Sequence, residues 1–165
     1  MSKLIWWYFM FENNLKNARE DLDMTQTELG YLFGVSHSTI KSWENGYYTI
    51  PLLKLIKFCN MFDYSIDYIM GIIKRNIKYG PFTVDNIIIS KRLKSFRKSL
   101  KLSQQELCDK CRIAQTTYSG YERGKYLINT TNLYYLCKTF DISMDYLIGR
   151  INNPKISKEK ETTVL

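Results

Sequence analysis

The chain has 165 residues, a formal net charge of +8 and 45% apolar residues. This length and composition allow one or two domains with real cores, and the charge favours polyanionic partners such as nucleic acid or an anionic membrane surface. The apolar run at residues 4–11 is too short to span a bilayer and lacks a small-residue cleavage site, so we expect neither a membrane span nor a signal peptide. Four cysteines without an export signal predict a reducing, cytoplasmic location.

The stretch at residues 25–46 predicts two short helices joined by a tight turn. Thr25 and Glu28 have the spacing of a capping box, in which each side chain meets the backbone amide of the other residue. Gly34 stands where a helix ends in the left-handed conformation that glycine adopts without steric cost. Ser36 then suits the N-cap of the second helix. A short polar helix held by a preceding helix fits the major groove of DNA.

The second of these helices has two faces. Ile40 and Trp43 lie on its apolar side. The opposite side is polar and carries His37, Ser38, Lys41, Ser42 and Asn45. His37 is the only histidine, and plain solvent exposure is the alternative to a contact with a base or a phosphate.

The chain matches itself at an offset of 78 residues. Residues 13–72 and 91–150 share 20 identities in 60 ungapped pairs, and the segment at residues 62–68 recurs at residues 140–146. Two copies are too few for a solenoid, and each copy is long enough to close a small core of its own. The repeat therefore predicts two tandem domains.

The predicted organisation has five parts. They are an aromatic N-terminal extension (1–11), a first domain (12–71), a linker (72–85), a second domain (86–150) and a tail (151–165). Asp85 suits the N-cap of the helix after the linker, and Asp67 suits the first turn of a short helix, where the helix dipole favours a carboxylate. The tail mixes charges without periodicity and is expected to be disordered.

Both copies resemble the helix-turn-helix domain of the Cro and phage-repressor (XRE-type) family. The resemblance rests on a hydroxyl residue, Gln and Glu-Leu at the start of one helix and on Glu-x-Gly at the end of the next, with the same spacing twice. It covers about residues 12–71 and 90–149 and implies an all-α fold of two tandem five-helix lambda-repressor-like domains. It also implies sequence-specific binding of double-stranded DNA by a transcriptional regulator, a repressor of phage or mobile-element type.

The resemblance also implies roles for individual residues. Base edges would be read by His37, Ser38, Lys41, Ser42, Gln115, Thr116 and Ser119. Backbone phosphates would be contacted by Gln26, Asn45, Gln104, Arg123 and Lys125. Structural ion pairs between helices 1 and 3 would join Arg19 to Glu44 and Arg97 to Glu122. No catalytic residue, metal or cofactor is expected.

The second copy differs from the first at three positions of the motif. Arg112 replaces Gly34 in the turn, which predicts strain or a slightly different turn. Ala114 replaces Ser36 and removes a cap that contributes about 1 kcal/mol. Gly120 replaces Ser42 and has no side chain with which to read a base. These departures concern the placement of the second recognition helix rather than its existence.

Charge separates the two copies. Residues 1–72 hold 6 basic and 8 acidic residues, whereas residues 85–150 hold 12 basic and 6 acidic residues. The first copy carries apolar residues at Tyr31, Leu32 and Leu53 where the second copy is polar. We therefore hypothesise that the second copy anchors DNA and that the first supports assembly, including a homodimer through the first domain and the aromatic N-terminus.

Other readings of the sequence stay open. Cys108 and Cys111 have the spacing of a metal or redox pair, but the helical pattern places them inward, which favours packing as small hydrophobes. An enzyme is the weakest hypothesis, because no phosphate-binding glycine loop, metal cluster or nucleophile with a histidine partner is visible. The alternative to a DNA-binding regulator is a protein-interaction or antitoxin-like regulatory module in which one or both motifs no longer bind DNA.

Overall fold

The computed structural model describes residues 10–156, where the chain forms ten helices and no strand beyond one isolated bridge. The helices are α1 Leu15–Asp21, α2 Gln26–Phe33, α3 His37–Glu44, α4 Leu52–Phe62, α5 Ile66–Ile69, α6 Asn86–Ser99, α7 Gln104–Cys111, α8 Gln115–Glu122, α9 Thr130–Phe140 and α10 Met144–Leu147. Helices α6–α10 repeat α1–α5, which confirms the prediction of two tandem five-helix domains. Most of the predicted aromatic extension and the end of the predicted tail lie outside the described residues.

Equivalent positions are buried in the two copies. Leu29, Ile40 and Leu55 are wholly buried in the first copy. The positions 78 residues later are also wholly buried and are Leu107, Tyr118 and Leu133. These six residues belong to one core cluster that runs through both copies, so the second helix of each motif is held at its inner side. Among the described residues, no helix is long and apolar enough to cross a membrane.

Each domain is preceded by a segment that contacts the other domain. The Phe11 ring, before α1, packs on Tyr134 and Tyr135 of α9 at centroid distances of 5.4 and 5.7 Å. In the predicted linker, Phe82 exchanges two hydrogen bonds with Asn60 of α4: the Asn60 amide donates to the Phe82 carbonyl at 2.8 Å, and the Phe82 N–H donates back at 3.1 Å. Each copy is therefore braced by the segment that leads into the other.

The prediction of a disordered tail is wrong for residues 151–156. The backbone N–H of Ser143 donates to the Pro154 carbonyl at 3.1 Å, and Ile142 pairs with Lys155 in an antiparallel bridge. Backbone hydrogen bonds of this kind need no apolar periodicity, so the sequence pattern gave no sign of them.

The two copies meet through α5 and α10 in a reciprocal contact. The Asp67 carboxylate accepts hydrogen bonds from the backbone N–H of Met144 at 2.7 Å and from the Ser143 hydroxyl at 2.5 Å. The Asp145 carboxylate accepts in turn from the backbone N–H of Asp67 at 2.9 Å. Asp67 and Asp145 are equivalent in the repeat, so each copy offers the other the same group. An isologous contact of this kind defines a two-fold axis, and the chain is an internal pseudo-dimer.

Arg150 breaks the symmetry of this contact. Its guanidinium lies 3.4 Å from the Asp145 carboxylate, and the two side chains are only 1% and 0% exposed. It also donates to the Gly80 carbonyl of the linker at 2.6 Å. The equivalent position in the first copy is Ile72, which carries no charge. Burial and the neighbouring Asp145 raise the pKa of Asp67 to about 7.

Replacing Asp67 with Asn should remove part of the pH dependence of stability. An aspartate with a pKa of about 7 when folded, against an ordinary value of 3.8, holds a proton between these pH values only in the folded state. The wild-type chain therefore loses stability as the pH rises through about 7. The stability of Asp67→Asn relative to wild type should rise between about pH 5 and about pH 8, measured by urea unfolding. Asp21→Asn, at an exposed position on α1, is the control, and an equal pH dependence in all three chains would contradict the prediction.

Candidate nucleic-acid interface

The helix-turn-helix unit of the first copy has the capping that its sequence predicts. The Thr25 hydroxyl accepts from the Glu28 N–H, and the Glu28 carboxylate accepts from the Thr25 N–H at 2.7 Å. Gly34 ends α2 with φ at +64°, and the Ser36 hydroxyl accepts from the Thr39 N–H to cap α3. These local bonds set the angle at which α3 leaves the turn.

The second unit adopts the same geometry, although its turn and N-cap residues suit these positions less well. The Ser103 and Glu106 capping box is complete. Arg112 ends α7 with φ at +56°, the left-handed conformation that Gly34 adopts at its own turn. Ala114 caps α8 without a side-chain hydrogen bond. The turn is therefore the strained version of the first one rather than a different turn, because an arginine in this region carries a steric cost that a glycine does not.

A buried ion pair ties α1 to the end of α3. The Arg19 guanidinium donates to the Glu44 carboxylate at 2.5 Å, and the Glu44 side chain is only 2% exposed. The Gln26 amide donates to the same carboxylate at 2.8 Å. Glu44 therefore joins the first three helices, and the orientation of α3 depends on this one carboxylate.

The second copy repeats the pair and extends it. The Arg97 guanidinium donates to the Glu122 carboxylate at 2.6 Å, and the Gln104 amide donates at 2.7 Å. Burial alone would raise the pKa of Glu122, but the hydrogen bonds from Arg97 and Gln104 outweigh it, so the pKa lies below its ordinary value. The Gln115 amide then donates to the Gln104 carbonyl oxygen at 2.9 Å. This chain of polar groups leads from the core to the exposed side of α8.

The base-reading positions predicted on α3 lie on one side of the helix. We call His37, Ser38, Lys41 and Ser42 the first reading face. His37, Ser38 and Lys41 are exposed, whereas Ser42 is half-buried and its hydroxyl donates to the Ser38 carbonyl at 3.0 Å. Ile40 and Trp43 are buried on the opposite side. The helix thus presents a cation, an imidazole and hydroxyls to solvent.

The equivalent positions on α8 differ in chemistry. We call Gln115, Thr116, Ser119 and Gly120 the second reading face. Thr116 is exposed, Gln115 and Ser119 are half-buried, and Gly120 is buried. This face therefore offers an amide and hydroxyls, and it carries no charged side chain. Base reading by either face stays a prediction.

Tyr126 contributes to the second reading face and was missed from the sequence. A Cβ at Gly120 would lie 2.5 Å from the Tyr126 ring, so the ring lies directly against the helix where Gly120 leaves room. The ring is 48% exposed, and the Lys125 ammonium lies 5.2 Å from its centroid. The equivalent Tyr48 is 69% exposed. A glycine on a helix followed six residues later by an aromatic residue is the signal that indicates such a contact.

The predicted phosphate contacts fall into two groups. Gln26 and Gln104 turn their amide nitrogens toward the buried glutamates. Asn45, Arg123 and Lys125 are exposed at or just beyond the ends of α3 and α8. The second group has the exposure that a phosphate contact requires, and contact by any of the five stays a prediction.

The cysteines pack in the cores, as their helical positions predict. All four are free and buried, and burial raises the pKa of the Cys108 thiol to about 11. Within residues 10–156, no group of three or more His, Cys, Asp and Glu side chains is arranged to hold a metal ion.

Two helix-turn-helix units in one chain, each with a buried anchor and a polar outer face, define the class of protein. The sequence pattern of the helix-turn-helix family matches residues 15–69 and again residues 93–147. The chain belongs to this family, in its XRE-type branch.

Related proteins match one portion of the chain. The uncharacterized HTH-type transcriptional regulator YqaE of Bacillus subtilis is 36% identical over 84 residues, which are 47% of this chain and 67% of that protein. The HTH-type transcriptional regulator ImmR of Bacillus subtilis is 34% identical, over 47% of this chain and 58% of that protein. The cryptic phage CTXphi transcriptional repressor RstR of Vibrio cholerae is 36% identical, over 38% of this chain and 55% of that protein.

Among solved structures, the P22 c2 repressor in complex with synthetic operator 9T is 30% identical, over 39% of this chain and 97% of that chain. The TM-score is 0.37, which is too low to carry an argument about arrangement.

Replacing Glu122 with Ala should lower the free energy of unfolding by about 3–5 kcal/mol, because Arg97 would keep a buried, unpaired charge. The double variant Arg97→Met with Glu122→Leu should lose less, since both charges leave together. Urea unfolding measures the difference. Lys16→Ala, which removes an exposed partner 3.9 Å from Glu20, should change stability by at most about 0.5 kcal/mol. A loss as small in Glu122→Ala as in Lys16→Ala would contradict the anchoring role.

Proposed function

We propose that this chain binds double-stranded DNA sequence-specifically and regulates transcription as a repressor of phage or mobile-element type. The observation that carries the proposal is that α3 and α8 each bury one side in a helix-turn-helix unit and turn a polar side outward. A helix held in this way is what the major groove admits. The names of the related proteins, transcriptional regulators and a phage repressor, support the same function.

Electrostatics favours the second copy as the anchor on DNA. Residues 85–150 carry a net charge of +6, against −2 for residues 1–72. Neutralising phosphates supplies most of the sequence-independent affinity for DNA. Arg123 and Lys125 are exposed beside the second reading face, whereas Asn45 and Tyr47 occupy the equivalent positions in the first copy.

The first copy keeps exposed apolar surface that supports an assembly role. Tyr31 is 84% exposed and Leu53 is 58% exposed. Leu52 is also apolar where the second copy has Thr130, and it is buried, so part of the apolar excess of the first copy is used within the chain. A homodimer through the first copy and the aromatic N-terminus is a prediction that sedimentation of the free chain tests, and a single monomeric species would contradict it.

The alternative function is a protein-interaction or antitoxin-like module without DNA binding. Selection of bound sequences from a random duplex pool, followed by gel shift, separates the two. Recovery of one enriched motif, with affinity that falls steeply as salt rises, supports the proposed function. Absent or salt-insensitive binding supports the alternative.

Matched double variants test which copy anchors DNA. Arg123→Ala with Lys125→Ala should weaken binding to all sequences and reduce the slope of log affinity against log salt by about 2. Asn45→Ala with Tyr47→Ala changes the equivalent positions in the first copy and should leave this slope unchanged, since it removes no charge. Gel shifts over a salt series measure both slopes, and equal slopes in the two variants would contradict anchoring by the second copy.

A further inference from the structure

The contact between α5 and α10 concerns the relation between the two helix-turn-helix units as well as the packing of the two copies. The Asp67 carboxylate meets the N-terminus of α10, and the Asp145 carboxylate meets the N-terminus of α5. Both carboxylates are almost wholly buried, at 2% and 0% exposed. Separating the two helix-turn-helix units would disrupt these buried hydrogen bonds, so the contact opposes their independent movement.

A two-fold relation between the units has a counterpart in duplex DNA. In two-fold dimers of helix-turn-helix proteins, the recognition helices enter the major groove at half-sites about one helical turn apart, and the symmetry of the site mirrors that of the protein. Here one chain supplies both units. The reciprocal contact relates the two units as the subunits of such a dimer are related, and a site with two half-sites has the same symmetry.

The two reading faces are chemically unlike, and this breaks the expected symmetry of the site. Lys41 and His37 give the first face a cation and an imidazole, whereas Ser119 and Gln115 stand at the equivalent positions on α8. A lysine donates to guanine acceptors, and a glutamine suits the acceptor and donor edge of adenine. Faces with different donors and acceptors select different base pairs.

The fourth position of each face differs in shape as well as in chemistry. Ser42 presents a hydroxyl on α3, whereas Gly120 is covered by the Tyr126 ring. The ring is 48% exposed and offers an apolar contact of the kind that suits a thymine methyl group. At this position the second reading face offers an aromatic ring, whereas the first offers a serine hydroxyl.

We propose that one chain recognises a single non-palindromic DNA site made of two different half-sites, the first read by α3 and the second by α8. This inference rests on the proposed function and adds the class of site and the stoichiometry. Its half-sites lie about 10–10.5 base pairs apart, centre to centre.

The first test is selection from a random duplex pool with the full chain, followed by native mass spectrometry of the complex. The expected result is one enriched site with two unlike half-sites and a ratio of one chain per site, whether or not two chains associate. Replacing either half-site with a copy of the other should weaken binding at least about tenfold, because several base pairs become mismatched.

The second test exchanges the reading faces. Gln115→His, Thr116→Ser, Ser119→Lys and Gly120→Ser together give α8 the first reading face, and the enriched site should become a palindrome of the first half-site. The reverse exchange, His37→Gln, Ser38→Thr, Lys41→Ser and Ser42→Gly, should give a palindrome of the second half-site. The reverse exchange adds no side chain beneath Tyr126, so it keeps the test valid if the first exchange unfolds the second copy, which circular dichroism would reveal.

The outcomes separate this inference from the proposed function. A palindrome bound by two wild-type chains, or a single half-site unaffected by one of the exchanges, overturns the inference and leaves DNA binding standing. The absence of any enriched sequence overturns the proposed function and the inference with it.

Discussion

The relation between the two halves depends on two buried carboxylates, each placed at the start of a helix in the other half. Helices α5 and α10 have only four residues each, and the N–H groups at a helix start have no partner within the helix. Ser65 and Ser143 satisfy one such group apiece, and Asp145 and Asp67 supply acceptors from across the contact. If the halves slid apart, buried donors and acceptors would be left without partners, which is costly at low dielectric.

A second layer of buried polar groups acts within each half. Glu44 and Glu122 are the last residues of α3 and α8. Each carboxylate accepts hydrogen bonds from an arginine on the first helix of its half and from a glutamine on the second. The orientation of each outer face is thus determined by charges that solvent does not reach. Exposed side chains on α3 and α8 can therefore vary without loss of the fold, since the two copies keep the same anchor over different outer residues.

Much of the fold was readable from the sequence, because its signals are local. Capping boxes, turn residues and the 78-residue repeat gave the helices and the number of domains. The contact between the copies was not readable: Asp67 lies in the first turn of its own helix, as predicted, but its carboxylate bonds to the start of α10. Tyr126 was missed because its position over Gly120 depends on how the chain folds back after α8. Whether the polar outer residues read bases remains a prediction, since spacing and exposure do not identify a bound partner.

Because the segments before α1 and α6 each contact the opposite half, they affect how the pairing of the halves depends on protein concentration. Both halves belong to one polypeptide, so their pairing has a fixed effective concentration. It therefore does not dissociate at low protein concentration. A dimer of two separate chains must first assemble, so its amount rises with the square of the protein concentration at low levels. Within one chain, the pairing of the two copies has no such dependence on concentration.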